Sequence, residues 1–206
     1  MLKTHITLVV DSSGSMSSIE LESQNAVNAL IEEQKAVPSP CSFLMYEFED
    51  DVRKIYEGPI AGAPKYTLKP GGMTALVDAI GTAINYTGEK LREIAPANRP
   101  EKVLFMVMTD GYENASSEFN MAQVAKMIAH QETKYQWEFI YMASGLNPEA
   151  QALSLGFGSH THVFATTGSG HSHTAAYAGV SRSMAASRSG ANVSYTADYD
   201  ADGNPV

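Results

Sequence analysis

Cysteine and long apolar segments are both scarce in this sequence of 206 residues. The single cysteine, Cys41, opens an apolar run that ends at Phe48, where a free cysteine usually acts as a small buried hydrophobe. One cysteine excludes a disulfide framework within the chain. No apolar segment approaches the roughly 20 residues of a membrane-spanning helix, and the N-terminus lacks the features of a secretory signal. We therefore expect a cytoplasmic protein without a membrane partner, although a virion-borne chain would share these features.

Basic residues are also scarce. Lys and Arg together number 14 against 23 Asp and Glu, so the formal net charge is -9. Because this field repels phosphate backbones, we expect no nucleic-acid partner. The hydrophobic fraction of 44% lies in the ordinary globular range and excludes wholesale disorder. This length predicts one domain over residues 1–190, followed by a polar C-terminal tail, residues 191–206, that has no apolar periodicity.

Short apolar runs alternate with helical patterns along most of the chain. The predicted strands are Thr4 to Val10, Ser42 to Glu49, Val52 to Glu57, Lys102 to Met108, Trp137 to Met142 and His162 to Ala165. The second and third are joined so tightly that they must form an antiparallel hairpin, which we expect at a sheet edge. The alternation predicts an α/β fold: a three-layer α/β/α, doubly wound arrangement around a mostly parallel sheet with one antiparallel edge strand.

Helices are predicted between these strands. The first is capped by Ser17 or Ser18 and stopped by Pro38, and the second begins at Thr74 with a weak point at Gly88. Three more cover Met121 to Ile128, Pro148 to Gly156 with Asn147 as cap, and Thr174 to Ala186. The segment from Gly58 to Gly72 is rich in glycine and proline and predicts a loop.

Three polar turns fall where a doubly wound sheet binds its ligands, at the carboxyl ends of its strands. Their candidate metal ligands are Asp11, Ser13, Ser15, Thr74 and Asp110. All of these side chains offer oxygen, which suits a hard cation such as Mg²⁺ and argues against a dedicated zinc or copper site. Mn²⁺ or Ca²⁺ could substitute. Mg²⁺ keeps some of its waters, so two carboxylates and a few hydroxyls suffice.

The turns resemble the metal-ion-dependent adhesion site of von Willebrand factor type A (VWA) domains. They read Asp11-Ser12-Ser13-Gly14-Ser15, Gly71-Gly72-Met73-Thr74 and Thr109-Asp110-Gly111. The resemblance spans about residues 4 to 188. It implies that the two serines bind metal directly, that the two aspartates act largely through bound water, and that Thr74 binds either way. It also leaves one coordination position for water or for a partner's carboxylate.

This family resemblance implies a function in protein binding. The chain is similar to small intracellular members from bacteria or bacteriophages, which implies a metal-dependent module that docks an Asp or Glu of a partner protein, in assembly or scaffolding. We assign no catalytic residues. The predicted terminal helix departs from the family because it is poor in large apolar residues, which argues against a shape change relayed through it.

Three alternatives to a docking site stay open at the level of the sequence. Asp11, Ser13 and Ser15 could simply cap the first helix, but capping leaves Thr74 and Asp110 unaccounted for. A haloacid-dehalogenase-like, Mg²⁺-dependent phosphotransferase would place an aspartate at the same strand end. It would also need an acid where this chain has Ser13, which cannot transfer that proton at neutral pH. A structural subunit with a vestigial metal site is the third alternative. Nucleotide-binding glycine motifs do not occur.

Weaker signals lie elsewhere in the sequence. Two His-x-His pairs, His160 with His162 and His171 with His173, could chelate zinc, but their glycine- and serine-rich surroundings favour solvated histidines. The carboxylates of Asp198, Asp200 and Asp202 match the opening of an EF-hand loop, without the glutamate at its twelfth position. We expect a group of acidic residues to be solvated at the hairpin edge and tip: Glu47, Glu49, Asp50 and Asp51.

Overall fold

The computed structural model describes residues 3–144, 148–157, 161–166 and 170–191. Its strands are β1 (Thr4–Asp11), β2 (Cys41–Phe48), β3 (Val52–Pro59), β4 (Lys102–Thr109), β5 (Glu138–Ser144) and β6 (Thr161–Thr166). Its α-helices are α1 (Glu20–Ala36), α2 (Leu76–Glu93), α3 (Met121–Tyr135), α4 (Pro148–Ser154) and α5 (Gly170–Arg188). Short 3₁₀ helices cover Gly14–Ile19, Ile60–Gly62 and Pro96–Asn98. Residues 192–206 of the predicted tail and the predicted cap Asn147 lie outside the described residues.

The strands form one sheet in the order β3-β2-β1-β4-β5-β6. Every neighbouring pair is parallel except β2 and β3, which form the predicted antiparallel hairpin at the edge. The chain winds outward from β1 on one side and resumes at β4 on the other. The connections after β1 and β4 therefore diverge, which opens a crevice at the carboxyl end of the sheet. The doubly wound prediction is confirmed.

Helices cover both faces of the sheet, and β4 shows why. Its residues alternate between two cores because successive side chains of a strand point to opposite faces. Leu104, Met106 and Met108 belong to the core under α1 and α5. Val103, Phe105 and Val107 belong to the core under α2, α3 and α4. Apolar residues on both faces explain why the strand is a continuous hydrophobic run in the sequence, and the three-layer prediction is confirmed.

Helix boundaries differ from the predictions in detail. The hydroxyls of Ser17 and Ser18 do not cap α1, since they donate to the carbonyls of Gly14 and Ser15 at 2.8 and 3.2 Å. The prediction of a serine cap is therefore wrong, and α1 begins at Glu20 without a side-chain cap. Helix α2 starts at Leu76, later than predicted, and continues without a break through Gly88.

Helix α5 is fastened to α1 by buried polar contacts. The guanidinium of Arg188 is fully buried, and Nη1 donates to the carbonyl and side-chain oxygens of Gln34 at 2.6 and 3.0 Å. Its Nη2 donates to the carbonyl of Ser39 at 3.0 Å. Gln34 in turn donates to the carbonyl of Ser181 at 2.9 Å. These bonds supplement the apolar packing of α5 in the core that it shares with α1.

Cys41 is buried, and burial raises the pKa of its thiol to about 11, so the thiol is protonated and acts as a small hydrophobe as predicted. None of the described helices combines the length and apolar character required to cross a membrane.

Candidate metal centre

The first turn of the centre follows β1 and is shaped by bonds of its own. Asp11 is fully buried at the end of the strand, and one carboxylate oxygen accepts the backbone N–H of Ser13 at 2.7 Å. Ser12 faces the neighbouring strand, since its backbone N–H and hydroxyl both donate to the carbonyl of Phe48, at 2.8 and 3.0 Å. The hydroxyl of Ser12 is therefore engaged by β2.

The hydroxyls of Ser13 and Ser15 connect this turn to the one after β4. Their oxygens are 3.1 Å apart, and the Ser15 hydroxyl donates to Oδ1 of Asp110 at 2.6 Å. Ser13 stands at the start of the 3₁₀ helix Gly14–Ile19 but makes no side-chain capping bond there. Helix capping therefore does not account for these hydroxyls in the structure. The bond from Ser15 to Asp110 instead joins two loops that are 95 residues apart in sequence.

Thr74 arrives from the glycine-rich loop. It is buried, its backbone N–H donates to the side-chain oxygen of Asn114 at 2.8 Å, and its carbonyl accepts the N–H of the same residue at 3.1 Å. A Cβ added at Gly111 would lie 3.2 Å from Oγ1 of Thr74 and 3.4 Å from Oγ of Ser15. The absence of a side chain at position 111 thus keeps the space between these two oxygens open. All five predicted ligands are brought to one place.

Glycines also let the loop before Thr74 approach the first turn. The N–H of Gly71 donates to the carbonyl of Ser12 at 2.9 Å, and the carbonyl of Gly72 accepts from Gly14 at 3.2 Å. Gly72 has φ of +67°, and a Cβ there would stand 2.5 Å from Oδ2 of Asp50. A residue with a side chain would be strained at this position for both reasons.

The loop after β4 is tied to the start of α2 by two carboxylates. Glu113 accepts the N–H of Val77 at 2.8 Å, so it caps the helix from a distant part of the chain. Asp78 reciprocates by accepting three successive backbone N–H groups of the loop, at 2.7 to 3.1 Å, from Ser117, Glu118 and Phe119. Because Thr74 precedes α2 and Asp110 opens this loop, these bonds fix the positions of both candidate ligands.

Electrostatics at the centre favour a cation. Burial raises the pKa of Asp11, and the negative charge of Asp110 adds to the rise, while hydrogen bonds from Thr109 and Ser13 oppose it. Neighbouring carboxylates repel one another, and a cation bound between them would remove that repulsion. The hydroxyl of Tyr141 is buried, has no hydrogen-bond partner among the described residues, and is close enough to Asp11 for the aspartate's charge to help raise its pKa. A buried group of this kind can bond to water held at the site.

The spacing of the oxygens suits Mg²⁺. In an octahedron with metal–oxygen distances of about 2.1 Å, neighbouring ligand oxygens lie about 3 Å apart. The hydroxyl oxygens of Ser13 and Ser15, which are hydrogen-bonded to each other at 3.1 Å, are compatible with such a pair. No three His, Cys, Asp or Glu side chains gather as metal ligands in the part of the chain that the structure describes. A cation at this centre would therefore depend on hydroxyls as much as on carboxylates, which is chemistry that fits Mg²⁺.

Thr109 contributes to the geometry of the candidate centre, a part that the sequence motifs leave unassigned. Its hydroxyl donates to the second carboxylate oxygen of Asp11 at 2.5 Å and accepts the N–H of Gly111 at 3.1 Å. It therefore orients one candidate ligand and shapes the turn that carries another. Its position next to Asp110 in the motif was the only signal in the sequence, because the bond to Asp11 spans 98 residues.

The acidic hairpin residues are not all solvated. Glu47 is 7% exposed, accepting the hydroxyl of Tyr66 at 2.6 Å and a guanidinium N–H of Arg53 at 2.8 Å. The prediction that Glu47 belongs to the solvated edge is therefore wrong, since a buried carboxylate needs such partners. Asp50 and Asp51 are exposed as predicted, and Glu49 is half-buried and pairs with Arg53 at 2.7 Å.

The weaker metal predictions remain predictions. His162 lies half-buried on β6, and the side chains of His160, His171 and His173 fall outside the described part of the structure. Asp198, Asp200 and Asp202 also fall outside it.

Comparison with known proteins gives matches by structure alone. No family model and no curated protein matches the sequence. A von Willebrand factor type A protein from Catenulispora acidiphila superposes with a TM-score of 0.63 at 14% identity, over 93% of this chain and 44% of that one. The pilus adhesin SpaC from Lactobacillus rhamnosus GG superposes with a TM-score of 0.64 at 12% identity, over 91% of this chain and 30% of that one. Proximal thread matrix protein 1 from the mussel byssus superposes with a TM-score of 0.59 at 15% identity, over 89% of this chain and 46% of that one.

This chain spans less than half the length of each of these proteins. Identities this low show a common fold and nothing more.

Proposed function

We propose that this chain, which has the fold of von Willebrand factor type A domains, is a Mg²⁺-dependent protein-binding module. Its centre would dock an Asp or Glu of a partner protein, in an assembly or scaffolding role. The observation that carries the proposal is the convergence of five oxygen-bearing side chains from three separate loops, with the hydroxyl of Ser15 2.6 Å from Asp110 and 3.1 Å from that of Ser13.

Each residue would have a distinct part in holding the cation. Ser13 and Ser15 would bind it through their hydroxyls, and Thr74 would bind directly or through water. Asp11 and Asp110 would hold metal-bound water and balance the charge. The cation would supply an open coordination position for a carboxylate from the partner. Thr109, by donating to Asp11, keeps one aspartate oxygen oriented.

The phosphotransferase alternative needs a general acid two positions after Asp11. Ser13 stands at the position of the required acid, and its neighbours are the hydroxyl of Ser15 and the carboxylate of Asp11, whose oxygen accepts its N–H. Release of phosphate from a generic phosphoester, lost in Asp11→Asn, would support this alternative over docking. A structural subunit with a vestigial site predicts neither phosphate release nor metal binding.

Calorimetric titration with Mg²⁺ and Mn²⁺ tests the metal centre directly. The double variant Ser13→Ala, Ser15→Ala should bind metal at least roughly 10- to 100-fold more weakly than the wild type. Loss of a residue that only hydrogen-bonds to a metal ligand already lowers metal affinity by that factor. The matched control is Ser17→Ala, Ser18→Ala, which removes two exposed hydroxyls of the same 3₁₀ helix outside the centre. Equal heats of metal binding from the wild type and both variants would contradict the proposed metal centre and favour the structural subunit with a vestigial site.

A further inference from the structure

A cavity of about 290 Å³ lies beside the candidate metal centre. Its apolar lining comes from the starts of α2 and α3, the loop after β4 and the end of α4, with Leu76, Tyr112, Met121 and Leu155 among the lining residues. Tyr112 is 57% exposed and Met121 is 41% exposed. Large apolar side chains exposed together around a cavity are typical of a surface that a partner covers.

The polar residues of this cavity are engaged with the protein itself. Gln151 donates to the carbonyl of Gly111 at 2.7 Å, and the hydroxyl of Ser154 donates to the carbonyl of Gln151, also at 2.7 Å. Glu113 accepts the N–H of Val77 and the hydroxyl of Ser116. The surface that a partner would meet is therefore mainly apolar, and a charged or strongly polar group gains little by entering it.

The cavity and the metal centre share one short loop. Asp110 belongs to the centre, Tyr112 lines the cavity, and Gly111 between them is held by Gln151 of the cavity wall. With Cα atoms about 3.8 Å apart along a chain, the Cα atoms of Asp110 and Tyr112 are at most about 7.6 Å apart. An extended partner segment places side chains i and i+2 on one face about 6.6 Å apart, which falls within this limit.

Resting on the proposed metal-dependent docking, we infer that the partner's docking segment is extended and carries a large apolar residue two positions from its metal-bound Asp or Glu. The apolar side chain enters the cavity between Tyr112 and Met121. The volume suits one side chain such as Leu, Met or Phe, since it lies at the lower limit of pockets that take drug-sized ligands. Burial of that side chain contributes about tenfold or more to the affinity.

A phage-displayed library of random linear peptides, selected on the full chain in Mg²⁺ and eluted with a chelator, tests this inference. Enriched peptides should carry Asp or Glu with a large apolar residue at the i+2 or i-2 position. Synthetic versions should bind Met121→Ser and Tyr112→Ser about tenfold or more weakly. The matched control is Leu153→Ser, which truncates an apolar residue of α4 that is 70% exposed and is not part of the cavity lining. Thermal melting should first show that each variant is folded.

The outcomes separate this inference from the proposed function. Chelator-sensitive peptides with an acid but no apolar preference, bound equally by Met121→Ser, would overturn the apolar inference and leave docking intact. Peptides that stay bound in chelator, are recovered only by a later acid elution, depend on the cavity and bind Ser13→Ala, Ser15→Ala as well as the wild type would contradict both. An absence of chelator-eluted peptides would also count against both, and the calorimetric titration would then show whether metal binding itself had failed.

Discussion

Acid should destabilise this protein through one buried histidine of β1. His5 is 6% exposed, with Nδ1 2.8 Å from the hydroxyl of Ser42 and Nε2 3.0 Å from the hydroxyl of Thr7. Burial lowers the pKa of the imidazole from 6.5 to about 4, and the negative charge of Glu57 only partly opposes this. Lowering the pH from neutrality to about 4 is therefore the perturbation of interest.

The sign and size of the effect follow from the two pKa values. When a base has a lower pKa in the folded state than in the unfolded state, the unfolded state binds its proton first as the pH falls. Stability is therefore full at a pH above the unfolded pKa and is lost as the pH falls toward the folded pKa. For His5 the window runs from 6.5 down to about 4. At about 1.4 kcal/mol for each unit of pKa, the free energy of unfolding should fall by about 3 kcal/mol across it.

Urea unfolding at neutral pH and at about pH 4 measures this loss, and His5→Gln removes the titrating group while keeping a donor and an acceptor. The variant should lose about 3 kcal/mol less than the wild type over that range. His130→Gln, at an exposed position on α3, is the matched control and should behave as the wild type does. An NMR titration of the imidazole gives a direct reading. A His5 pKa near 6.5, or equal losses in wild type and His5→Gln, would refute the role of burial.

Three further predictions concern the loops of the candidate centre and helix α2. Thr109→Val should lower the free energy of unfolding by about 1.5 to 3 kcal/mol in chemical denaturation, because buried Asp11 loses a charge-assisted donor, whereas Thr109→Ser should change it little. Gly88→Ala should raise the free energy of unfolding by up to about 1 kcal/mol, since the new Cβ meets open space within α2. Gly72→Ala should lower it because of its φ of +67° and the contact with Asp50. A stabilised Gly72→Ala variant would contradict the strain inferred for that turn.

The sequence by itself determined the elements and their layering. Strands buried on both faces are continuous apolar runs, as in β4, and helices repeat their apolar residues at a different spacing, so both patterns are local. The rule that ligands gather at the carboxyl ends of parallel strands then predicted that Asp11, Thr74 and Asp110 would meet. The structure brings them together, with strand ends shifted by a residue or two.

Only the tertiary structure decided which polar residues are buried and what they bond. Glu113 caps α2, Thr109 orients Asp11, and Arg188 holds α5 to α1 through bonds between residues far apart in sequence. Nothing local distinguishes a buried Glu47 from a solvated one, since the difference lies in Arg53 and Tyr66 reaching the same place. Apolar periodicity is a property of neighbours along the chain, whereas satisfying a buried polar group depends on partners that folding alone brings within reach.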